Sequence, residues 1–284
     1  MKTNNAHYTI NIHGNLLDLS IPQVIGIMNC TPDSFYAGSR KQTEYEIAER
    51  AQQIVAEGGS IIDIGAFSTR PGADEVSEIE EMARLRTALA IVRKECPKTV
   101  VSIDTFRPNV ARMAVEEYGA DIINDVSEGG ISTIADREIS DGDEACPEIF
   151  KTVAHLRVPY ILMSVRANLH DTLMAFSKKV QQLRDLGQKD IILDPGFGFG
   201  KSVEENYRLL ADLDKLNIFE LPLLVGVSRK RMIYQLLDTQ PDEALNGTVV
   251  INTIALMKGA SILRVHDVRE AVEAVKIVCQ TRKP

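Results

Sequence analysis

From residue 24 onward the chain alternates short apolar runs with longer segments in which apolar residues recur every three or four positions. The runs are Val24–Met28, Ile61–Ile64, Val100–Ile103, Asp121–Ile123, Tyr160–Met163, Ile191–Leu193, Leu223–Val227 and Ile262–Val265. Most are rich in Ile, Val and Leu with little alternation, the pattern of parallel strands covered on both faces. The segments between them read as helices, among them Tyr45–Glu57, Glu78–Glu95, Pro108–Tyr118 and Leu173–Leu186. Gly58-Gly59 and Gly119 stand where two of these helices should stop. A last helix is predicted after His266, with Asp267 as N-cap and Glu270 completing a capping box. Residues 8–19 differ: Tyr8, Ile10 and Ile12 alternate with Thr9, Asn11 and His13, and a turn at His13-Gly14-Asn15 predicts a hairpin.

Eight strand–helix units fit an α/β fold, the (β/α)8 TIM barrel, which typically takes about 250 residues. An open doubly wound sheet uses the same units. The count of eight and the lack of any linker-like composition shift favour the barrel. One domain is therefore predicted over residues 1–284, with the hairpin at about 8–19 and the barrel at about 22–281. The hairpin is expected to plug the barrel's bottom. The acidic, least helical stretch from Asp125 to about Pro147 reads as a long surface loop.

Composition narrows the function. With 44% hydrophobic residues in 284, a sizeable core needs no disulfide or structural metal. A net charge of −8 argues against nucleic-acid binding, which needs a basic surface, but leaves room for a local cationic pocket. Cys30, Cys96, Cys146 and Cys279 show no C-x-x-C or zinc-like spacing and are expected to be reduced thiols. Met1–Ile12 is polar, and no run approaches the roughly 20 apolar residues of a membrane helix. A cytoplasmic protein without membrane contact is expected.

In a barrel, function collects where strands end at the C-terminal face. The first run ends in Asn29, and the second leads to Ser68, Thr69 and Arg70. The third ends in Asp104, the fourth in Asn124 and the sixth in Asp194. Ser228, Arg229 and Lys230 follow the seventh, and the eighth carries Arg264 and then His266. Any single Asp or Asn there is explained by helix capping. Capping does not explain Arg, Lys and His in the same set. Asp104, Asn124 and Asp194 suit a flat heterocycle, because carboxylates accept and an amide both donates and accepts. Arg70, Arg264 and His266, with Asn29, suit phosphate or diphosphate. The site thus calls for a substrate with both parts.

The segment Asp194-Pro195-Gly196-Phe197-Gly198-Phe199-Gly200-Lys201-Ser202 fails both phosphate-loop patterns: Pro195 stands where one needs glycine, and Lys201 where the other does. It reads as a tight loop presenting aromatic rings, with Phe199 facing the site and Phe197 open between packing and function.

These residues fall in motifs that resemble the dihydropteroate synthase family. Gly26-Ile27-Met28-Asn29-Cys30-Thr31-Pro32-Asp33-Ser34-Phe35 is similar to its opening signature. Ser68-Thr69-Arg70-Pro71-Gly72, Ser102-Ile103-Asp104-Thr105, Ile123-Asn124-Asp125-Val126, Asp194–Lys201, Gly226-Val227-Ser228-Arg229-Lys230 and Arg264-Val265-His266-Asp267-Val268 resemble the later motifs, in order. The resemblance spans about residues 22 to 275.

It implies condensation of 6-hydroxymethyl-7,8-dihydropterin diphosphate with p-aminobenzoate to 7,8-dihydropteroate and diphosphate, in folate biosynthesis, by dissociative alkyl transfer. It implies a pterin held by Asp104, Asn124, Asp194 and Lys230. The diphosphate falls to Asn29, Thr69, Arg70, Arg264 and His266, with Mg2+ near Asn29. The p-aminobenzoate pocket falls to Thr69, Pro71, Phe199, Ser228 and Lys230. Catalysis itself falls to Asp104, Lys230, Arg264 and His266, under lids at Cys30–Gln42 and Phe67–Ser77. A homodimer and a sulfonamide target are further implications.

Three positions depart from the family. Met163-Ser164-Val165-Arg166 replaces a Met-His-Met-like stretch, Phe67 stands where glutamate is common, and Arg231 stands where serine is common. Arg231 is a candidate partner for the p-aminobenzoate carboxylate. Two alternatives remain: a corrinoid-linked methyltransferase on the same barrel, and a catalytically silent pterin-binding paralogue.

Overall fold

The computed structural model describes residues 8–30, 40–67, 76–130 and 146–283. It opens with the hairpin, β1 (Thr9–Ile12) and β2 (Asn15–Asp18), paired antiparallel with Ile12 opposite Asn15. His13 and Gly14 both take positive φ, 49° and 88°, the twist a two-residue hairpin turn requires. There follow β3 (Gln23–Asn29), α1 (Arg40–Ala56), β4 (Ile61–Gly65), α2 (Glu78–Glu95), β5 (Val100–Asp104), α3 (Pro108–Tyr118) and β6 (Ile122–Asp125). The second half contains α4 (Glu148–Leu156), β7 (Tyr160–Met163), α5 (Leu169–Asp185), β8 (Ile191–Asp194), α6 (Val203–Ala211) and β9 (Leu223–Val225). It ends with α7 (Arg231–Tyr234), α8 (Leu245–Met257), β10 (Ala260–Val265) and α9 (Val268–Thr281).

All eight predicted runs become strands, every neighbouring pair is parallel, and β10 returns to pair with β3. Closure rules out the open sheet. The helices cover the outside of the barrel, so the strands are buried on both faces, as their unbroken apolar character requires.

The interior is layered. Ile25, Ile61, Ile122, Ile161, Ile192, Leu224 and Ile262 form one apolar cluster with Ile10, Ile12 and Leu19 around the hairpin. The hairpin therefore plugs the bottom. Its tip is fastened there by His13 Nε2, 2.9 Å from Asp121, and by Asn11 N donating to Asp190 at 3.1 Å. Side chains on one strand face repeat every second residue. The next inward layer is thus Ile27, Asp63, Ser102, Asn124, Met163, Asp194, Gly226 and Arg264, five of the eight polar or charged. The apolar bottom gives way to a polar mouth within one layer.

Two expectations are corrected. Asp267 does stand at the N-cap of α9, but its side chain makes no cap. Both carboxylate oxygens accept from Arg229, at 2.9 and 2.7 Å, which is the stronger bidentate use of the group. The start of the predicted surface loop is instead buried. Asp125, Ser127 and Glu128 are enclosed, and the Asp125 carboxylate accepts from Ser127 N (2.7 Å), Gly129 N (2.9 Å) and the Tyr160 hydroxyl. Residues 131–145 of that stretch lie outside the described residues.

Candidate active site

The guanidinium of Arg264, inside the barrel on β10, organises the mouth. Its Nε donates to Asp63 Oδ2 at 2.7 Å and its Nη2 to Asp104 Oδ2 at 2.8 Å. Asn124 Nδ2 donates to the same Asp63 oxygen at 3.1 Å. Four buried polar atoms in this cluster have no partner: Asp63 Oδ1, Asp104 Oδ1, Asn124 Oδ1 and Ser102 Oγ. Buried polar atoms are rarely left so, because desolvation without a bond is costly. Three of the four only accept, so the complementary ligand presents N–H donors.

The electrostatics follow from burial. Desolvation pushes Asp104 up to about 7 against the pull of Arg264, with Asp63 nearby adding to the rise. Burial also raises Asp194, opposed mainly by Lys230. Lys230 is driven down to about 7 by burial, with Asp194 restraining the fall. Burial and then the Arg264 charge lower His266 to about 4, so its imidazole is neutral at neutral pH. Arg264 itself stays cationic, because Asp63 and Asp104 outweigh the cost of burying it.

The glycine loop after β8 forms one wall. Gly196 takes φ +70°, and a Cβ there would lie 1.9 Å from the Ser164 carbonyl, so only glycine fits. Gly196 N donates to Asp194 Oδ1 at 2.8 Å. The buried Lys201 ties the loop to itself, donating to Gly196 O (2.9 Å) and Phe199 O (3.1 Å). It holds backbone here and does not serve a phosphate. Phe197 is fully buried in the outer core, which assigns it to packing. Phe199 is half-buried at the mouth, with the Lys230 ammonium 4.4 Å from its ring centroid. Lys230 Nζ also donates to the Phe197 carbonyl.

A second wall runs from the end of β9 to the seam where β10 meets β3. His266 Nδ1 lies 3.0 Å from Ser228 Oγ, which also accepts from His266 N at 3.2 Å. Arg50 on α1 donates to His266 O at 2.7 Å and to Ile27 O at 3.3 Å, stitching that seam from outside. Asn29 ends β3 beside Gly65, where a Cβ would stand 3.6 Å from Asn29 Oδ1 and 3.5 Å from Asp104 Cβ.

Asn29, Asp104, Asn124, Asp194, Phe199, Ser228, Lys230, Arg264 and His266 therefore share one mouth. Thr69, Arg70 and Pro71 lie outside the described residues, as does most of both lid segments. Arg231 is exposed at the start of α7, its Nη2 3.4 Å from Lys201 O. Asp63 and Ser102 join the site from within their strands, where no strand-end position marks them. The signal for Asp63 was available: it is the one charge within an otherwise apolar strand, and such a charge must find a partner inside.

A closed barrel whose mouth sets unpartnered acceptors around one guanidinium, with a lysine over an aromatic loop, is the architecture of a pterin-binding enzyme. The sequence model of that family, described as pterin binding enzyme, matches residues 25–266. The chain is 39% identical over 280 residues to dihydropteroate synthase of Escherichia coli strain K12, covering 93% of each chain. The solved Xanthomonas albilineans dihydropteroate synthase with 4-aminobenzoic acid superposes with a TM-score of 0.86 at 32% identity, covering 98% of this chain and 100% of that one. The Yersinia pestis dihydropteroate synthase in a sulfonamide drug complex gives 0.82 at 36% identity, with 97% and 99% covered. The chain belongs to the dihydropteroate synthase family. Likeness to this family along nearly the whole chain sets the corrinoid-linked methyltransferase aside.

Proposed function

We propose that this mouth joins 6-hydroxymethyl-7,8-dihydropterin diphosphate to p-aminobenzoate, releasing diphosphate and 7,8-dihydropteroate. The observation that carries the reading is the set of unpartnered acceptors around Arg264. A pterin ring edge offers the N–H donors that Asp104 Oδ1 and Asn124 Oδ1 lack, with Asp194 and Lys230 completing its pocket. Asn29, Thr69, Arg70, Arg264 and His266 receive the diphosphate. Thr69, Pro71, Phe199, Ser228 and Lys230 enclose p-aminobenzoate.

The reaction is dissociative. Diphosphate departs first, and the cations of Arg70 and Arg264 meet the charge that grows on it. Arg264 is already oriented by two carboxylates, so little reorganisation is needed at that moment. The methylene left behind is cationic, and the Asp104 carboxylate stabilises it. The neutral aryl amine then forms the new C–N bond, and the N–H proton it loses passes to the released diphosphate or to solvent. Closing the mouth excludes water, which would otherwise capture the cation.

Among the described residues no cluster of three His, Cys, Asp or Glu could hold a metal by itself. Mg2+ needs no such cluster. It takes oxygen donors, keeps several waters and binds through substrate phosphates. The Asn29 carbonyl oxygen at the strand end fits that donor set. Bound there, Mg2+ would add positive charge where the leaving group gathers negative charge.

The expected result with purified chain, dihydropterin diphosphate, labelled p-aminobenzoate and Mg2+ is one dihydropteroate formed per diphosphate released. Tight pterin binding without turnover would point to the silent paralogue instead.

A cytoplasmic setting agrees with the lack, among the described residues, of any helix long and apolar enough to cross a membrane. A homodimer is part of the same proposal. Helix α8 carries no charge along its length, yet Val250, Ile254 and Met257 on one face are 51%, 39% and 55% exposed. An uncharged exposed helix face suits a self-complementary contact. Val250→Asp with Ile254→Asp is expected to turn a dimer into a folded monomer by sedimentation, and a monomeric wild type would end the idea.

A further inference from the structure

The connection after β7, where the sequence departs from its family, is held by one buried side chain from the turn after β6. Glu128 is fully enclosed and has φ +57°, a left-handed conformation that a residue with a side chain rarely adopts. Its carboxylate accepts from Val165 N at 2.9 Å, Ser164 Oγ at 3.3 Å and Arg166 Nε at 3.0 Å. Its carbonyl accepts from Lys179 Nζ at 2.8 Å. A buried carboxylate on a strained backbone is costly twice over, and such outliers persist where the surrounding structure over-determines them.

What the clasp holds lies directly against the mouth. Ser164 N donates to Asp194 O at 2.8 Å. The Ser164 carbonyl fills the space where Gly196 would carry a Cβ, and the Val165 carbonyl lies 2.9 Å from the same position on Gly200. The glycine loop is thus backed along its length by Ser164-Val165. The Val165 side chain forms a small apolar cluster with Val126 and Met163, and Phe67 and Phe199 pack onto it. Phe67 in turn meets Phe106 edge-on, with centroids 5.6 Å apart. Phe67 and Val165, two of the departures from the family, therefore build one wall, and Glu128 with Arg166 anchors it from behind.

We propose that the Glu128–Arg166 clasp is a positioning device for the aryl-amine side of the mouth, fixing the glycine loop so that Phe199 stands ready for an aromatic amine. This rests on the assignment of Phe199 to p-aminobenzoate given above. Arg166 and Glu128 act through the loop and touch no reacting atom.

The test uses the full chain with Arg166→Ala, Arg166→Lys and Glu128→Gln. In Arg166→Ala, KM for p-aminobenzoate should rise about tenfold while KM for dihydropterin diphosphate stays within about twofold. Arg166→Lys keeps a charged donor and should recover most of the loss. Hydrogen exchange of the amides at residues 196–200 should quicken about tenfold in Arg166→Ala, with β3 to β5 unchanged. Equal rises in both KM values, or unchanged exchange at 196–200, would overturn the proposal. Because Glu128→Gln removes charge from a fully buried position, it serves only if it folds; Arg166 is nearer the surface, and its variants decide the matter alone. A wild type that forms no dihydropteroate would sink the functional reading instead, and exchange at 196–200 would then decide the clasp.

Discussion

Arg264→Ala should lower turnover by about 10²- to 10³-fold, the scale of losing one preorganised charge-stabilising donor. It should also cost about 3–5 kcal/mol of stability, because removing one member of a buried ion pair strands the other. Here two are stranded: Asp63 is fully enclosed, and Asp104 keeps only a small opening at the mouth. The pH dependence separates this charge account from simple loss of packing. Without Arg264 the folded-state pKa of Asp104 rises further above its present value of about 7. A carboxyl whose folded pKa is raised binds more protons folded than unfolded between the ordinary carboxylate range and that raised value. Stability in the variant therefore falls as pH rises through that window. Urea midpoints at pH 5 and pH 8 should show the larger deficit at pH 8. An equal deficit at both would mean that the stranded carboxylates are not the cause. Arg264→Lys should restore part of the stability and little of the rate, since an ammonium is a point charge and cannot span both carboxylates as a planar fork does.

The same cluster shows what the sequence made legible and what it hid. Strand number, strand order and the barrel mouth follow from the period and spacing of apolar runs, and Glu78–Glu95 and Pro108–Tyr118 are helices end to end. Periodicity reports which face a residue occupies. It does not report partners across the barrel, and Arg264 and Asp63 are 201 positions apart. Asp63 therefore escapes a reading of strand ends, although a lone charge in an apolar strand announces an internal partner. The Asp125–Gly130 turn is hidden for a different reason. Acid, serine and glycine look alike whether water or the turn's own N–H groups satisfy the carboxylate, and here the N–H groups do. The first helix begins at Arg40, well before the predicted Tyr45, because its opening residues carry no apolar stripe to betray a helical period. Asp267 illustrates competition: the capping pattern was real, but Arg229 offers two bonds and a charge where a cap offers one neutral donor.

Lys230→Ala should lower kcat/KM for the pterin substrate by about 10²-fold, since it removes the cation facing Asp194 and the contact over Phe199 together. The pH profile tests the role more sharply. Lys230 titrates near 7 in the free protein, and its assigned task needs the ammonium, so kcat/KM should fall as pH rises above about 7. Asp104 also titrates near 7 and is needed ionised, so kcat/KM should fall as pH drops below about 7. The profile should be a narrow bell centred near neutrality. Its two limbs belong to interacting groups, so they report the pair rather than either residue alone. Lys230→Arg separates them. A guanidinium does not deprotonate in this range, so the alkaline limb should disappear while the acid limb remains. The level of activity will fall as well, because the lysine stem lies close against Gly198, where a Cβ would come within 2.8 Å of Lys230 Cδ, and leaves little room for a bulkier head. The shape of the curve is therefore the decisive quantity. An alkaline limb that survives unchanged in Lys230→Arg would have to come from another group, and the ammonium would lose its place in the reaction.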